Sequence, residues 1–225
     1  MKSYSILFII FLSFFACEKI ENPNVPHEKP EIPEEKPHDF LNDPSLHLSG
    51  NVLFIGNSLT SFNDLPQLFK NYSMLRGNDI RTAMHALPYT SLQDLWYAGI
   101  IQNFIASGKF AFVVVQQGPS SQEEGRGILL EYGAKLKALC DEYGAKLAFF
   151  MVWPDREYYH TFDGVIRNYT DAAYVNHSIL CPVGKVWKEH FDAHNDFSYY
   201  GGDGFHPSLK GSEVAAKVIH HSLYP

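Results

Sequence analysis

Apolar residues in this chain fall into two alternating kinds of segment, short near-continuous runs and longer stretches at helical spacing. Asn51–Ile55, Phe110–Val115 and Lys146–Val152 are runs of the first kind, as expected for strands covered on both faces. Ile80–Met84 and Ser178–Pro182 are weaker strands. Helical spacing is predicted around Leu65–Leu75, over Ile128–Tyr143 and Phe162–Asn176, and near Val186–Phe191. Leu92–Ile105 reads as one further helix, with Leu92, Leu95, Trp96, Ile100 and Phe104 on or near one face. Ser208–Leu223 closes the chain as a helix, with Ser208 as its N-cap. Five strands with intervening helices predict an α/β fold, a three-layer α/β/α sandwich around a five-stranded parallel sheet. In such sheets a site forms beyond the carboxyl ends of the strands, where Ser58, Gln116 and Gln117 fall.

The pattern changes sharply before residue 48. Lys2 precedes an apolar stretch, Tyr4 to Ala16, that is too short to span a bilayer comfortably, and Cys17 follows directly. Residues 18–47 carry Pro23, Pro26, Pro30, Pro33, Pro37 and Pro44 among Glu and Lys, the composition of an extended hydrated linker. The expected organisation is therefore a signal segment over 1–17, a linker over 18–47 and one globular domain over 48–225. The whole chain of 225 residues is 45% hydrophobic, enough for one substantial core. Formal net charge is −7, and residues 18–39 hold seven acids against three lysines. No basic stripe is present to neutralise phosphates, so no nucleic-acid partner is expected.

The chemistry-bearing residues lie at opposite ends of the domain. Asp203-Gly204-Phe205-His206-Pro207 sets an Asp and a His three positions apart on one turn. Val52-Leu53-Phe54-Ile55-Gly56-Asn57-Ser58 reads as a buried strand, a tight turn and a serine at the next helix entrance. A serine hydroxyl needs a base to take its proton as it attacks an acyl carbonyl, and a histidine held by a carboxylate supplies one. Singly, each residue has a plainer use: Ser58 as a helix cap, His206 as a turn residue, Asp203 in an Asx-turn. His160, His177, His190, His194 and His220-His221 have no comparable partners and no metal-ligand spacing, so neither metal nor cofactor is expected. Cys140 and Cys181 could pair in an oxidising compartment or both be buried thiols, and free thiols are the preferred reading.

Together these blocks resemble those of the SGNH hydrolases, the GDSL-like esterase and lipase superfamily. Gly56-Asn57-Ser58-Leu59-Thr60 matches the first block, with Asn57 in place of the usual Asp, and Asp203-Gly204-Phe205-His206-Pro207 matches the last. Gly211 and Ala215-Ala216 follow at the spacing of the closing helix. The G-x-S-x-G elbow of the α/β-hydrolases is absent around Ser58. The resemblance implies a flavodoxin-like sheet order, a catalytic triad of Ser58, Asp203 and His206, and hydrolysis of an ester through an acyl-serine. The middle blocks depart from the pattern. Where the family places a glycine after the second strand, this chain has Ala86-Leu87-Pro88-Tyr89-Thr90; where it places an Asn after the third, Ser120 stands. The oxyanion donors are then expected from a backbone N–H of Tyr89 or Thr90 and from the amides of Gln116 or Gln117.

The N-terminus resembles a bacterial lipoprotein signal, which implies lipidation of Cys17 and a lipid-anchored, extracytoplasmic place in the cell envelope; an ordinary secretory signal with an incidental Cys17 is the other reading. The expected substrate is a small acyl ester, such as acetate on a carbohydrate, and the expected state is a monomer. Trp96, Trp153, Tyr158 and Tyr159 are candidates for a sugar-facing groove, or for core. An acyltransferase with the same triad, and a surface carbohydrate-binding protein that has lost activity, are the two rival readings.

Overall fold

The computed structural model describes residues 50–225. The signal segment, Cys17, the linker and the domain start at Leu48 lie outside the described residues.

Five parallel strands form one sheet: β1 (Val52–Gly56), β2 (Thr82–Ala86), β3 (Phe112–Val115), β4 (Lys146–Phe150) and β5 (Ile179–Cys181), in the order β2-β1-β3-β4-β5. Every residue of β1 and β3 is buried, which is why both appear as unbroken apolar runs. The helices are α1 (Ser58–Ser61), α2 (Leu65–Leu75), α3 (Leu92–Ala98), α4 (Ile100–Ala106), α5 (Glu123–Glu142), α6 (Phe162–Val175), α7 (Val183–His194) and α8 (Leu209–Leu223). Phe62–Asp64 and Arg156–Thr161 add two 3-10 turns. Helices α2 and α8 pack on each other on one side of the sheet; α3 to α6 pack in series on the other; α7 joins α6 to α8. The predicted three-layer α/β/α sandwich with a flavodoxin-like strand order is the architecture observed.

Several boundaries differ from the sequence expectation by two or three residues, as where β3 starts at Phe112 and β4 ends at Phe150, and three differences have a local reason. The single helix over Leu92–Ile105 is two helices, broken at Gly99, which takes φ +75° and donates its N–H to the Trp96 carbonyl. Apolar spacing runs on across the break and hides it. Helix α5 begins at Glu123, ahead of Ile128, because Glu123 and Glu124 fill an exposed first turn where acids complement the helix dipole. Strand β2 sits two residues later than expected, since its pairing with β1 (Val52 with Thr82, Gly56 with Ala86) sets its bounds.

Cys140 and Cys181 are free and buried, and burial pushes both thiols up to about 12. Of the four aromatics considered for a sugar groove, Trp153 is core: it is fully buried and stacks on Trp187 with ring centroids 3.5 Å apart. Tyr159 packs among Phe162, Phe191 and Phe197 and donates its hydroxyl to Asp192 at 2.6 Å. Trp96 is packed against the core, and Tyr158 stands exposed. Among the described residues no helix is long and apolar enough to cross a membrane.

Candidate active site

The site is assembled at the carboxyl edge of the sheet, where β1 ends. Gly56 is the last residue of β1 because nothing larger fits: a Cβ there would lie 2.4 Å from Thr60 Oγ1 and 2.5 Å from Gln116 Oε1. Asn57 then caps α1, its Oδ1 accepting from the Leu59 N–H at 3.1 Å. Ser58 is the first residue of α1, and its backbone N–H has no partner among the described residues, as the first N–H groups of a helix do not.

The turn carrying Asp203 and His206 is bracketed by the segment before it. Gly201 donates to the His206 carbonyl at 2.7 Å, Ser208 donates to the Tyr199 carbonyl at 2.8 Å, and Tyr200 bridges Pro207. Trp153 supports the same turn from below, its Nε1 donating to the Phe205 carbonyl at 3.0 Å. Asp203 Oδ1 accepts from the N–H groups of Phe205 (3.0 Å) and His206 (2.9 Å), which leaves Oδ2 facing the ring.

The two halves meet. His206 Nε2 lies 3.0 Å from Ser58 Oγ, and His206 Nδ1 lies 2.6 Å from Asp203 Oδ2. Burial alone would raise the Asp203 carboxyl. The hydrogen bonds from His206 and from the N–H groups of Phe205 and His206 outweigh it and hold the pKa below the ordinary carboxylate value. Asp203 therefore stays ionised and fixes the tautomer with a proton on Nδ1, so that Nε2 can accept from Ser58.

Sequence reasoning missed the two residues that lock this meeting. Asn63 Nδ2 donates to the Pro207 carbonyl and to Ser212 Oγ, both at 3.0 Å, tying the segment after Ser58 to the segment after His206. Phe62 stacks on the His206 ring, centroids 4.6 Å apart and planes 19° off parallel. Asn63 and Asp64 both adopt positive φ (55° and 51°), a conformation that Asn and Asp tolerate better than most residues. That Asn-Asp pair was the available signal.

The expected oxyanion donors are placed unequally. Gln116 is turned inward: its Oε1 accepts from the Asn57 N–H (2.9 Å) and Thr60 Oγ1 (2.8 Å), and its Nε2 donates to the Gln117 carbonyl (2.7 Å). These bonds make Gln116 a brace of the Ser58 turn, and the second N–H of its Nε2 has no partner among the described residues. Gln117 Oε1 accepts from the Leu92 N–H at the start of α3 (2.7 Å), and its Nε2 has no partner among the described residues. Ser120, at the position of the family's Asn, is buried and donates to the Gly118 carbonyl at 2.9 Å. Tyr89 sits in the turn after β2 with φ +63°, and its N–H has no partner among the described residues. That turn is drawn to the site by Asn57, whose Nδ2 donates to the Thr90 carbonyl at 3.1 Å. An aspartate at position 57 could keep the cap but not this bond.

A cavity of about 610 Å³ opens beside Asp203, lined by Asp155, Arg156, Glu157, Gly201, Gly202 and Gly204. Among the described residues no group of three or more His, Cys, Asp or Glu side chains converges as a metal site requires.

No protein-family model and no curated protein matches the chain. Solved structures do. A protein of Slackia heliotrinireducens described as an SGNH hydrolase superposes with a TM-score of 0.67 at 22% identity, over 77% of this chain and 98% of its own. The acetyl xylan esterase AlAXEase gives 0.64 at 14% identity, over 77% and 99%. A GDSL-like lipase from Parabacteroides merdae gives 0.62 at 14%, over 79% and 96%. The class defined here is a parallel α/β protein with a Ser–His–Asp array at the carboxyl edge of its sheet. Its fold is that of the SGNH hydrolases.

Proposed function

We propose that this protein is a serine ester hydrolase of the SGNH type, acting through an acyl-Ser58 intermediate. The observation that carries the reading is the unbroken chain of contacts from Ser58 Oγ through the His206 ring to Asp203. His206 takes the Ser58 proton as Oγ attacks the ester carbonyl, then returns it to the departing alcohol. Water, deprotonated by the same ring, releases the acid from Ser58. The negative charge on the carbonyl oxygen is met by the N–H groups of Ser58 and Tyr89 and by Gln117 Nε2, each of these donors being worth about 3 kcal/mol of barrier. Asp203 is half exposed, so water reaches the site, which favours hydrolysis over transfer to a sugar hydroxyl.

The alcohol takes its proton from His206, and the cavity beside Asp203, the carboxylate partner of that ring, is lined by neither Ser58 nor His206. Its carboxylates, guanidinium and glycine backbone suit a polyhydroxylated group better than a hydrocarbon chain. We therefore assign a carbohydrate O-acyl ester, acetate foremost, as substrate; the acetyl xylan esterase among the structural neighbours agrees with that choice. Purified protein should hydrolyse p-nitrophenyl acetate and release acetate from acetylated glycans, and Ser58→Ala should do neither; hydrolysis that survives the substitution would overturn the assignment.

The apolar run ending at Cys17 supports lipidation and an envelope location. Cells fed radiolabelled palmitate should label the wild type and not Cys17→Ser; equal label would remove the anchor.

A further inference from the structure

Tyr89 stands apart from every other aromatic residue near the site. It occupies the second central position of the Pro88–Tyr89 turn at φ +63°, a place normally given to glycine or asparagine. Thr90 Oγ1 donates to the Leu87 carbonyl at 2.7 Å and the Thr90 carbonyl is held by Asn57, so the turn is fixed from both sides. The ring itself is fully exposed and makes no ring contact or hydrogen bond among the described residues. A large side chain is thus kept in a conformation that disfavours it, held there by the Thr90 and Asn57 hydrogen bonds and by no contact of its own ring. Residues held in strained backbone conformations by their surroundings collect at active sites and ligand clamps.

Strand order then locates the ring. Along the carboxyl edge run Tyr89 after β2, Ser58 after β1, Gln117 after β3, and Asp155–Glu157 after β4. Tyr89 and the cavity's Asp155–Glu157 therefore follow strands on opposite sides of β1, whose ends are three strand spacings, roughly 14 Å, apart. A single acylated sugar reaches one of them. A chain of sugars reaches both.

Resting on the ester-hydrolase reading above, we propose that the substrate is an O-acylated oligosaccharide or polysaccharide lying across the sheet edge, and that Tyr89 is the platform on which a sugar ring beyond the acylated one stacks. An exposed aromatic face offers apolar area to the C–H face of a pyranose, and its hydroxyl a polar edge. Tyr89 is a specificity residue in this respect, separate from any use of its backbone N–H.

The test compares partially O-acetylated xylotetraose with methyl tri-O-acetyl-xylopyranoside as probes. The wild-type kcat/KM should favour the tetramer at least tenfold. Tyr89→Gly, which keeps the backbone N–H and relieves the strain, should reduce that ratio to within threefold of unity, mostly through KM, with a Tm no lower than wild type. Tyr89→Phe should keep it. An equal ratio in wild type and Tyr89→Gly would overturn the proposal. Calorimetric titration of Ser58→Ala with the tetramer separates this from failure of the hydrolase reading: adding Tyr89→Gly should weaken binding at least tenfold even where no ester is cleaved. Unchanged affinity, or no binding at all, would also overturn it.

Discussion

Three side chains from two distant stretches of sequence carry the proposed chemistry, and each has a separable role. Ser58→Ala removes the nucleophile and should lower kcat by at least about ten-thousandfold. Asp203→Asn keeps the geometry but lets the His206 ring take the wrong tautomer; a loss of about ten-thousandfold in kcat is expected, with KM for p-nitrophenyl acetate nearly unchanged. Asn57→Asp tests the turn. Its carboxylate would face the Thr90 carbonyl where an amide now donates, and the protein should lose about 1–2 kcal/mol, seen as a lower urea midpoint. The triad was legible in the sequence because Asp203 and His206 share one turn and Ser58 follows a strand. The surroundings of the two glutamines were not. Gln116 and Gln117 are adjacent and chemically identical, and only the pleat decides that one turns inward to brace Asn57 and Thr60. Phe62 and Asn63 were missed for another reason: the Asn63-Asp64 pair signals a turn, but the partners His206, Pro207 and Ser212 are more than 140 positions away.

At the scale of elements, the fold aims strand ends at one edge and uses close packing to hold them. The β1–α1 junction is the tightest point. Gly56→Ala would drive a methyl group into Thr60 Oγ1 and Gln116 Oε1, both already hydrogen-bonded to each other. The expected cost is about 1–3 kcal/mol. Activity should fall more than stability does, because Gln116 also positions the Asn57 N–H beside Ser58; a Gly56→Ala protein with wild-type kcat would contradict the bracing role. The strands of this edge were readable where both faces are covered, as in β1, β3 and β4. The edge strand β2 was misplaced because its buried position is a histidine, His85, while its large apolar residue, Met84, is exposed. The Gly99 break between α3 and α4 was hidden by apolar spacing that continues through it.

For the whole molecule, acid should act in two steps. Burial lowers the pKa of His85 and also of His220, where His221 and Arg76 add repulsion. The unfolded chain therefore binds protons that the folded one refuses, so stability present above the ordinary histidine value is lost as pH falls through it. Thermal midpoints should drop between pH 7.5 and 5, and His85→Gln with His220→Gln should flatten that slope. A steeper slope in the double variant would contradict the assignment. Below it, Asp203, Asp192 and Asp196 have carboxyls held low by hydrogen bonds, so the stability they confer above the usual carboxylate range is lost on further acidification. The α/β/α layering itself was legible from the alternation of runs and helical stretches.

The nucleophile can be read directly. A fluorophosphonate probe esterifies only a serine whose proton is being taken by a base, and peptide mass analysis reports which one. The wild-type protein should carry a single adduct on Ser58, and His206→Ala should carry none. Labelling of another serine, or equal labelling of Ser58 without His206, would contradict the account.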